Sequence, residues 1–580
     1  MRKSISILLL CLVLILPFVL RASLSKSDFS PPPNAKRLVI ITANTQEIRR
    51  AFASAFANWY RQKFGEEIVI DYRVPGGAND IYQQLDTTYR AARLPDGSLP
   101  PNFHPDIDMV WGGGDYFFDV KLKRTANVLE QMEIDPALLH AAFPEPRLAG
   151  VKLYDYQAPL SPSLDTPGEV KGGANLELRT QNLELKNHPH PTPPPEYKGR
   201  EQRPSSFIVH RSAFSPQPTW VGLCLSSMGI IYNPSLYQGL GLPAPKQWTD
   251  LTNEKLSGLV ALADPSHSAS VALAYMMVVQ HSMADAENHF FAAHPQVKSL
   301  DKSKLAALPG YQSALAAGWQ NGMETLQSIA ANARYFTAWG SQVPNDVGSG
   351  DAAVGTAIDF YGRVYEEQVG SNRLRFVAPV GATSTTPDPI AILAGVRGEQ
   401  YKIANRFIEF LLSPQAQRLW ILRAGSPGGP AERSLRRMPI RQDVYSDQTD
   451  WTDHVDPFAD AHGFNQRNDW MGLLPDMTMV WTSAWIDDRD DLRNAHEAIM
   501  RIHDPAQRQK LLADLARLPI TMNDLIIMAK ERNKLRTQPN SDLPGLAAQQ
   551  DITLARQFRE HYHTVQNLAE SDAALAATSK

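Results

Sequence analysis

Four segments of the sequence place polar side chains or glycines where a predicted strand gives way to a predicted helix. They are Thr42–Thr45, Gly113–Asp115, Ser226–Gly229 and Asp264–Ser270. Backbone N–H groups at a helix start carry partial positive charge and favour an anion. Ligands of open α/β sheets gather at the carboxyl ends of the strands, so the segments are predicted to converge on one ligand. Ser, Thr and Asp at such positions are also typical of simple helix caps.

A fifth segment, Ala353–Tyr365, places Asp359, Tyr361 and Arg363 after an apolar strand. Tyr and Asp side chains can bind ferric iron through hard oxygen atoms, and Arg can hold a carboxylate or phosphate with two hydrogen bonds. The alternative is that the aromatic rings pack under the sheet while Asp359 caps a turn.

Tryptophans and histidines offer fewer candidates. Trp339 is a candidate ligand contact because Gly340 and Ser341 follow it, whereas three other tryptophans are predicted to be core residues: Trp111, Trp248 and Trp420. The pair His188 and His190 lies in a Pro-rich loop without a rigid third ligand, and a helical pair two residues apart, His561 and His563, faces different sides of its helix. Neither pair is predicted to hold a metal ion.

Composition excludes several classes of protein. The 580 residues are 43% hydrophobic and 20% charged, which is typical of a globular chain with more than one packed unit. The 57 Lys and Arg against 61 Asp and Glu leave a formal charge of −4, without the basic surface of a nucleic-acid binder. Cys11 and Cys224 are the only cysteines, too few for a disulfide framework or a thiolate zinc site.

The N-terminus predicts export from the cytoplasm. Arg2 and Lys3 precede the apolar stretch Ile5–Leu20, so residues 1–22 are either a cleaved signal peptide or an uncleaved anchor. No later apolar run approaches ~20 residues. Membrane contact is therefore expected only through this segment, if it is uncleaved, and the predicted location is periplasmic or extracytoplasmic.

Alternating strands and helices must position the candidate residues. The strand Arg37–Thr42, a helix ending near Gly65 and the strand Ile68–Tyr72 begin the pattern, which implies a parallel sheet. A helix from Ala78 to Leu85 and a strand at Asp106–Trp111 continue it. Pro, His and Asn crowd an insertion at 156–218, and strands at 219–224 and 229–233 open a second α/β unit. Amphipathic helices follow at 492–502, 507–518, 522–533 and 552–568.

Several stretches, in this order and spacing, resemble the extracellular solute-binding proteins of ABC importers, in the branch of ferric-iron, polyamine and phosphonate-type binders. The stretches are Leu38–Ala43, Asp106–Gly113, Ser227–Asn233, Trp248–Leu251, Gly258–Pro265, Gly350–Gly355, Pro387–Ile392 and Ala404–Gln417. The resemblance covers about residues 36 to 430. It implies the two-lobed type II periplasmic-binding-protein fold, of class α/β, with a ligand held between the lobes. Lobe 1 would be 36–150 with about 380–430 returning to it, lobe 2 would be 219–379, and 431–580 would form an α-helical C-terminal extension.

The resemblance also implies which residues contact the ligand. The loop with Thr42 and Asn44 and the loop with Gly114 and Asp115 would contact it from the first lobe. Ser226 and Ser227 would form the edge of the crossing segment, and Ser266 and Ser268 a second-lobe helix start suited to an oxyanion. The residue types themselves, apart from the resemblance, add further candidate contacts: Thr45, Trp339, Asp359, Tyr361 and Arg363. Iron-binding relatives use two adjacent tyrosines, whereas here Tyr361 is followed by Gly362, so iron would need Tyr365 or Asp359 as a substitute.

The sequence thus predicts a receptor that carries a small ligand to the permease subunits of an ABC transporter. The ligand is ferric iron, an iron chelate, or an organic or phosphorylated anion; no resident cofactor is expected. One alternative is a membrane-tethered sensor module with the same fold. Another is an extracytoplasmic hydrolase that uses Asp115, Asp359 and His267, although the usual catalytic motifs are missing from the sequence.

Overall fold

The computed structural model describes residues 34–156, 217–459, 464, 467–536 and 542–578. The predicted signal segment 1–22 and nearly all of the predicted insertion, including His188 and His190, lie outside the described residues. Apart from residues 156 and 217, the described residues belong to one compact unit. None of the helices described is both long and apolar enough to cross a membrane.

Strands occupy twelve short segments of the described residues. Their bounds are β1 (Lys36–Thr42), β2 (Ile68–Arg73), β3 (Met109–Trp111), β4 (Arg147–Leu148), β5 (Val151–Lys152), β6 (Val221–Tyr232), β7 (Val260–Ala263), β8 (Ala333–Thr337), β9 (Val354–Ile358), β10 (Arg375–Val377), β11 (Thr385–Ile392) and β12 (Met438–Pro439).

Helices alternate with these strands and then dominate the C-terminal part. The α-helices are α1 (Gln46–Phe64), α2 (Ala78–Ala92), α3 (Pro136–Ala142), α4 (Pro234–Gly239), α5 (Ala269–Ala293), α6 (Lys302–Ala306), α7 (Pro309–Ala331), α8 (Val343–Ser349), α9 (Asp359–Val369), α10 (Gly398–Leu411), α11 (Pro414–Arg418), α12 (Asn468–Met471), α13 (Leu474–Trp481), α14 (Arg489–Met500), α15 (Pro505–Ala516), α16 (Met522–Arg536) and α17 (Leu543–Thr578). Two π-helical segments lie at Phe117–Thr125 and Thr482–Asp487, and short 3-10 turns at Trp248–Thr252, Glu254–Leu256, Pro295–Val297 and Gln442–Ser446.

Local sequence explains where the first helices begin and end. The buried side chains Ile48, Phe52 and Phe56 repeat every four residues along α1, and Gly65 ends the helix at φ +70°, a conformation that favours glycine. Helix α2 continues to Ala92, beyond the predicted end at Leu85. The extra two turns form because Tyr89 extends the apolar face and is buried in the core.

Two groups of strands form the two lobes. In the first lobe the order is β2-β1-β3-β11-β6, with β12 also pairing with β6. Strands β1, β2 and β3 are parallel, and β11 is antiparallel to both β3 and β6. In the second lobe β6 pairs with both β9 and β10. Strand β7 lies between β9 and β8 and is parallel to both.

Strand β6 belongs to both lobes. Ser226 and Ser227 pair with β11 in the first lobe, whereas Met228 and the four residues after it pair with β9 in the second. The predicted loop at Ser226–Gly229, between two separate strands, is therefore wrong. The missing side chain of Gly229 admits Phe376, whose nearest ring atom would lie 2.5 Å from a Cβ at this position.

Within the described residues the chain passes between the lobes three times: within β6, between β10 and β11, and between β12 and α12. Two α/β lobes joined in this way form the type II periplasmic-binding-protein fold that was predicted. The helical C-terminal region is also present.

Each lobe has its own hydrophobic core, and the C-terminal region contributes to both. Leu435, Met438 and Ile440 pack in the core of the first lobe. Side chains from Trp470 to Ala569 pack in the core of the second lobe, around α5 and α7. The helices after residue 467 are therefore an integral layer of the second lobe. The domain limits proposed from the sequence stay a prediction.

Candidate functional site

A cavity of about 350 Å³ lies between the two lobes. This volume is within the range of small-molecule binding sites. Both lobes and the region after residue 430 line it, with residues from the segments 43–44, 76–78, 112–116, 226–228, 267–273, 339–341, 356–361 and 386–388, together with Arg437 and Leu474.

Four α-helices of eleven or more residues begin at this cavity. Asn44 precedes α1, Gly77 precedes α2, Ser268 precedes α5 and Ile358 precedes α9, and all four residues line the cavity. The starts of four helices therefore line one volume, and the positive end of a helix dipole favours negative charge. At two of them an N–H already donates to a carboxylate, from Gly77 to Asp80 and from Phe360 to Asp359. Two of the predicted loops supply the starts of α1 and α5.

The glycine segment that follows β3 supports the first-lobe side of the cavity. Gly112, Gly113 and Gly114 have φ values of +93°, +116° and +82°, which side chains rarely adopt. A Cβ on Gly113 would also lie 2.8 Å from the ring of Phe117. The backbone N–H of Gly113 donates to Asp388 Oδ1 at 2.9 Å, which ties the segment to β11.

Arg437 is the cationic side chain at the base of the cavity. Its Nη1 donates to Asp388 Oδ2 at 2.8 Å and to Asn44 Oδ1 at 3.4 Å, and its Nη2 donates to Ser226 Oγ at 2.9 Å. The guanidinium also lies 4.4 Å from the ring centre of Phe360 in the second lobe. Arg437 thus links both lobes and the crossing strand.

Sequence reasoning missed Arg437 and Asp388. Both reach the cavity through long-range strand pairing, because β11 and β12 each pair with β6. No local pattern distinguishes Arg437 from the adjacent Arg436. The segment Pro387–Ile392, quoted for the family resemblance, was the one signal that pointed near Asp388.

Within the part of the chain that the structure describes, two buried donor atoms of residues that line the cavity have no hydrogen-bond partner. They are Nδ2 of Asn44, which is 8% exposed, and Nε of Arg437, which is 4% exposed. The contact of Asn44 Oδ1 with Arg437 fixes the amide, and the Asn44 N–H donates to Thr42 Oγ1 at 3.0 Å. Buried donors are normally paired, so unpaired donors that line a cavity are suited to a ligand with acceptor atoms.

The serines of the second-lobe loop have different surroundings. Ser268 lines the cavity, does not cap α5 with its hydroxyl, and has its Oγ 3.1 Å from Ser270 Oγ. Ser266 is turned away, because its N–H and hydroxyl both donate to Asp264 Oδ1, at 2.8 and 2.6 Å. The carbonyl of Ser266 accepts from Asn79 Nδ2 of the first lobe at 2.8 Å, so the lobes touch at this rim.

The predicted contacts thus divide into two groups. Seven line the cavity: Asn44, Gly114, Asp115, Ser226, Ser268, Trp339 and Tyr361. The others do not line it: Thr42, Thr45, Ser227, Ser266, Asp359, Arg363 and Tyr365. For both groups a direct contact with ligand stays a prediction.

Residues of the second group contact each other or residues that line the cavity. Ser227 Oγ donates to Asp359 Oδ2 at 3.4 Å, and Asp359 Oδ1 accepts from the N–H of Phe360 at 2.8 Å. Burial raises the pKa of the fully enclosed Asp359 carboxyl, against the opposing influence of Arg363. Arg363 lies over the Phe376 ring at 5.7 Å, and Tyr365 packs against the second core. The hydrolase alternative required Asp115, Asp359 and His267 to lie together. Asp115 and His267 line the cavity, whereas Asp359 does not.

Two phenols, Tyr116 and Tyr361, line the cavity. Burial raises the pKa of the Tyr361 hydroxyl, which favours the neutral phenol. Iron ligation needs the phenolate, so this environment favours a hydrogen-bonding role. The described parts of the chain also contain no cluster of three or more His, Cys, Asp or Glu residues suited to a metal ion.

Asp115 follows the glycine segment and lines the cavity. Burial, with a smaller contribution from the neighbouring carboxylate of Asp119, raises the pKa of Asp115 to about 7, whereas Lys152 acts in the opposite direction. Near neutral pH this carboxyl is therefore partly protonated and can donate a hydrogen bond.

The tryptophan predictions are confirmed for the core residues. Trp111, Trp248 and Trp420 are at most 3% exposed, whereas Trp339 is 48% exposed and lines the cavity. A Cβ on Gly77 would lie 3.4 Å from the Trp339 ring. The indole therefore closes the rim of the cavity against the start of α2.

Comparison with protein families gives one match. Residues 204–444 match the family described as bacterial extracellular solute-binding proteins. The resemblance seen in the sequence is thus confirmed over those residues. The matched segment is less than half of the chain, and outside it the likeness to extracellular solute-binding proteins stays a resemblance.

Solved structures to which this chain is similar include the following three proteins. AfuA from Actinobacillus pleuropneumoniae, with fructose-6-phosphate bound, is 15% identical, with 77% of this chain and 98% of that chain covered and a TM-score of 0.45. Iron-bound HitA from Pseudomonas aeruginosa is 14% identical, with 76% and 99% covered and a TM-score of 0.41. The spermidine/putrescine binding protein PotD from Streptococcus pneumoniae is 12% identical, with 76% and 97% covered and a TM-score of 0.40. At these TM-scores the likenesses carry no weight for the ligand. No curated protein matches the chain significantly.

Proposed function

We propose that this protein captures a small organic or phosphorylated anion outside the cytoplasm and delivers it to the permease subunits of an ABC transporter. The observation that carries the choice of ligand is the cluster of donors at the base of the cavity. Four helix starts, the unpaired Asn44 Nδ2 and the Arg437 guanidinium share one volume. Together they favour acceptor atoms that carry negative charge.

The charge balance of the cavity argues against a polyamine. The carboxylate of Asp388 is already neutralised by Arg437 at 2.8 Å. The raised pKa of Asp115 reduces its negative charge near neutral pH. A dication would therefore meet helix starts and an arginine with little negative charge to compensate its desolvation.

Bare ferric iron is the weaker candidate among the ligands considered from the sequence. The raised pKa of Tyr361 opposes formation of the phenolate. Tyr365, the proposed substitute for the second tyrosine, does not line the cavity. An iron chelate bound through its own carboxylates would still satisfy the donors at the base.

Binding can be tested by thermal unfolding and calorimetric titration of the purified chain. The probes are inorganic phosphate, glucose 6-phosphate, citrate, ferric citrate, Fe³⁺ and spermidine. We expect an organic anion to raise the melting temperature through binding to the folded state, and spermidine to leave it unchanged. Asn44→Ala should weaken binding of the anion at least tenfold. Asn58→Ala, which changes an exposed asparagine on α1 outside the cavity, serves as the matched control.

A rise in melting temperature with spermidine or Fe³⁺ alone would contradict the proposal that the ligand is an anion. Delivery to a permease can be tested separately, by reconstituting the chain with candidate permeases in vesicles and measuring ligand-dependent ATP hydrolysis. Binding of an anion without stimulation of ATP hydrolysis would support the proposed ligand class but contradict the transport role.

A further inference from the structure

The region after residue 467 forms part of the ligand cavity. Leu474, the first residue of α13, lines the cavity although it is only 4% exposed. It belongs to a helical region that follows the segments for which the family resemblance was found. This region therefore contributes to the lining of the cavity as well as to the core.

A buried amide holds this region in place. Gln280 of α5 is fully buried, its Oε1 accepts from the Arg467 N–H at 2.9 Å, and its Nε2 donates to the Arg467 carbonyl at 3.3 Å. Both hydrogen bonds fix the backbone just before α12. The position of Leu474 is thus set by the second-lobe core and not by a free loop.

Four apolar residues of the cavity lining form what we call the wall. Met228 of β6, Val271 and Leu273 of α5 and Leu474 of α13 all line the cavity and all belong to the core of the second lobe. They present methyl and methylene groups, whereas the base formed by Asn44 and Arg437 presents donors. The lining of the cavity is therefore partly polar and partly apolar.

A ligand that fills this cavity must match both parts. An inorganic anion would satisfy the donors without contacting the wall of Met228, Val271, Leu273 and Leu474, which are 3% to 8% exposed. An anion with an apolar body would contact that wall, and each of its methylene groups transferred there from water should tighten binding about fourfold. Helix α13 contributes to this wall through Leu474.

We infer that the ligand is an organic anion with an apolar portion, and that Leu474 is a specificity-determining residue for that portion. This inference rests on the anion-binding function proposed above. Arg437 and Asn44 receive the anionic group. Leu474 and the other three residues of the wall receive the apolar body.

A homologous series of ligands tests this inference. Calorimetry of the full chain with methyl and butyl phosphate, and with acetate and pentanoate, gives the ratio of the two affinities within each pair. We expect the longer ligand to bind at least tenfold tighter. Leu474→Ser should lower this ratio at least threefold, and Leu474→Met should preserve it.

The ratio within one variant does not depend on how much of the sample is folded, so partial unfolding of Leu474→Ser does not obscure the result. Ile552→Ser, at a site that is 70% exposed on α17, is the matched control and should leave the ratio unchanged. If the unmodified chain binds short and long ligands with equal affinity, the inference about the apolar portion is overturned, while the proposal that the ligand is an anion is kept. An unchanged ratio in Leu474→Ser would also overturn it. Failure of all four anions to bind would instead contradict the proposed function.

Discussion

The polar base and the apolar wall of the cavity are built in different ways. The base joins Asn44, Asp388 and Arg437, which lie far apart in sequence and meet through the pairing of β11 and β12 with β6. The wall comes mostly from α5 and the residue that follows the lobe crossing in β6. The base therefore depends on a few directional contacts, whereas the wall depends on the volume of many packed side chains. Substitutions should consequently damage the base abruptly and the wall gradually.

The largest effect is expected from Arg437→Met. The substitution leaves the carboxylate of Asp388, which is 8% exposed, without its cation. Loss of one partner of a buried ion pair costs about 3–5 kcal/mol. Denaturant unfolding should show a decrease of this size in the free energy of unfolding. The double variant Arg437→Met with Asp388→Asn should recover a large part of it; a double variant as unstable as the single one would show that the pair is not the cause.

A smaller effect is expected in the glycine segment. Gly113→Ala introduces a Cβ 2.8 Å from the Phe117 ring at a φ of +116° and should cost about 1–3 kcal/mol of stability. Gly114→Ala has the same type of backbone strain, at φ +82°, but open space around the Cβ. Urea unfolding should therefore find Gly113→Ala less stable than Gly114→Ala. Equal losses would mean that strain alone, and not the contact with Phe117, limits this position.

Ser268 and Ser266 form a matched pair for binding. Ser268→Ala removes a hydroxyl that lines the cavity and should weaken anion binding roughly tenfold, which corresponds to about 1.4 kcal/mol. Ser266→Ala removes a hydroxyl that donates to Asp264 and should leave affinity nearly unchanged. Titration calorimetry with the best anion from the panel separates the two. The reverse order would place the ligand at the rim and not at the start of α5.

The smallest effect concerns pH. Because the pKa of Asp115 is raised to about 7, the carboxyl is neutral below that value and negative above it. Affinity for a carboxylate ligand, whose own charge is constant in this range, should fall about threefold from pH 6 to pH 8. The favourable contribution of protonated Asp115 to folding should likewise be lost as pH rises through 7. Asp115→Asn should flatten both dependences, and a variant with the same pH profile as the unmodified chain would exclude Asp115 as their source.

The sequence predicted those parts of the site that depend on local patterns. The loops around Asn44, Gly114 and Ser268 follow apolar strands and precede periodic helices, so their positions could be found by reading along the chain. Arg437 could not be found in this way, because a two-residue strand with no periodicity brings it to the cavity. The continuous β6 was also missed, because the polar Ser226 and Ser227 interrupt its apolar run and the packing of Phe376 against Gly229 is a long-range contact.

Strand β6 also has a consequence for how the molecule unfolds. Its twelve residues supply hydrogen bonds to β11 and β12 in one lobe and to β9 and β10 in the other. Neither sheet can lose this strand without exposing the backbone groups of the other, so unfolding of the lobes should be thermodynamically coupled. A single calorimetric transition with equal calorimetric and van't Hoff enthalpies is expected for the two lobes. Two resolved transitions would show that each half of β6 can be released independently.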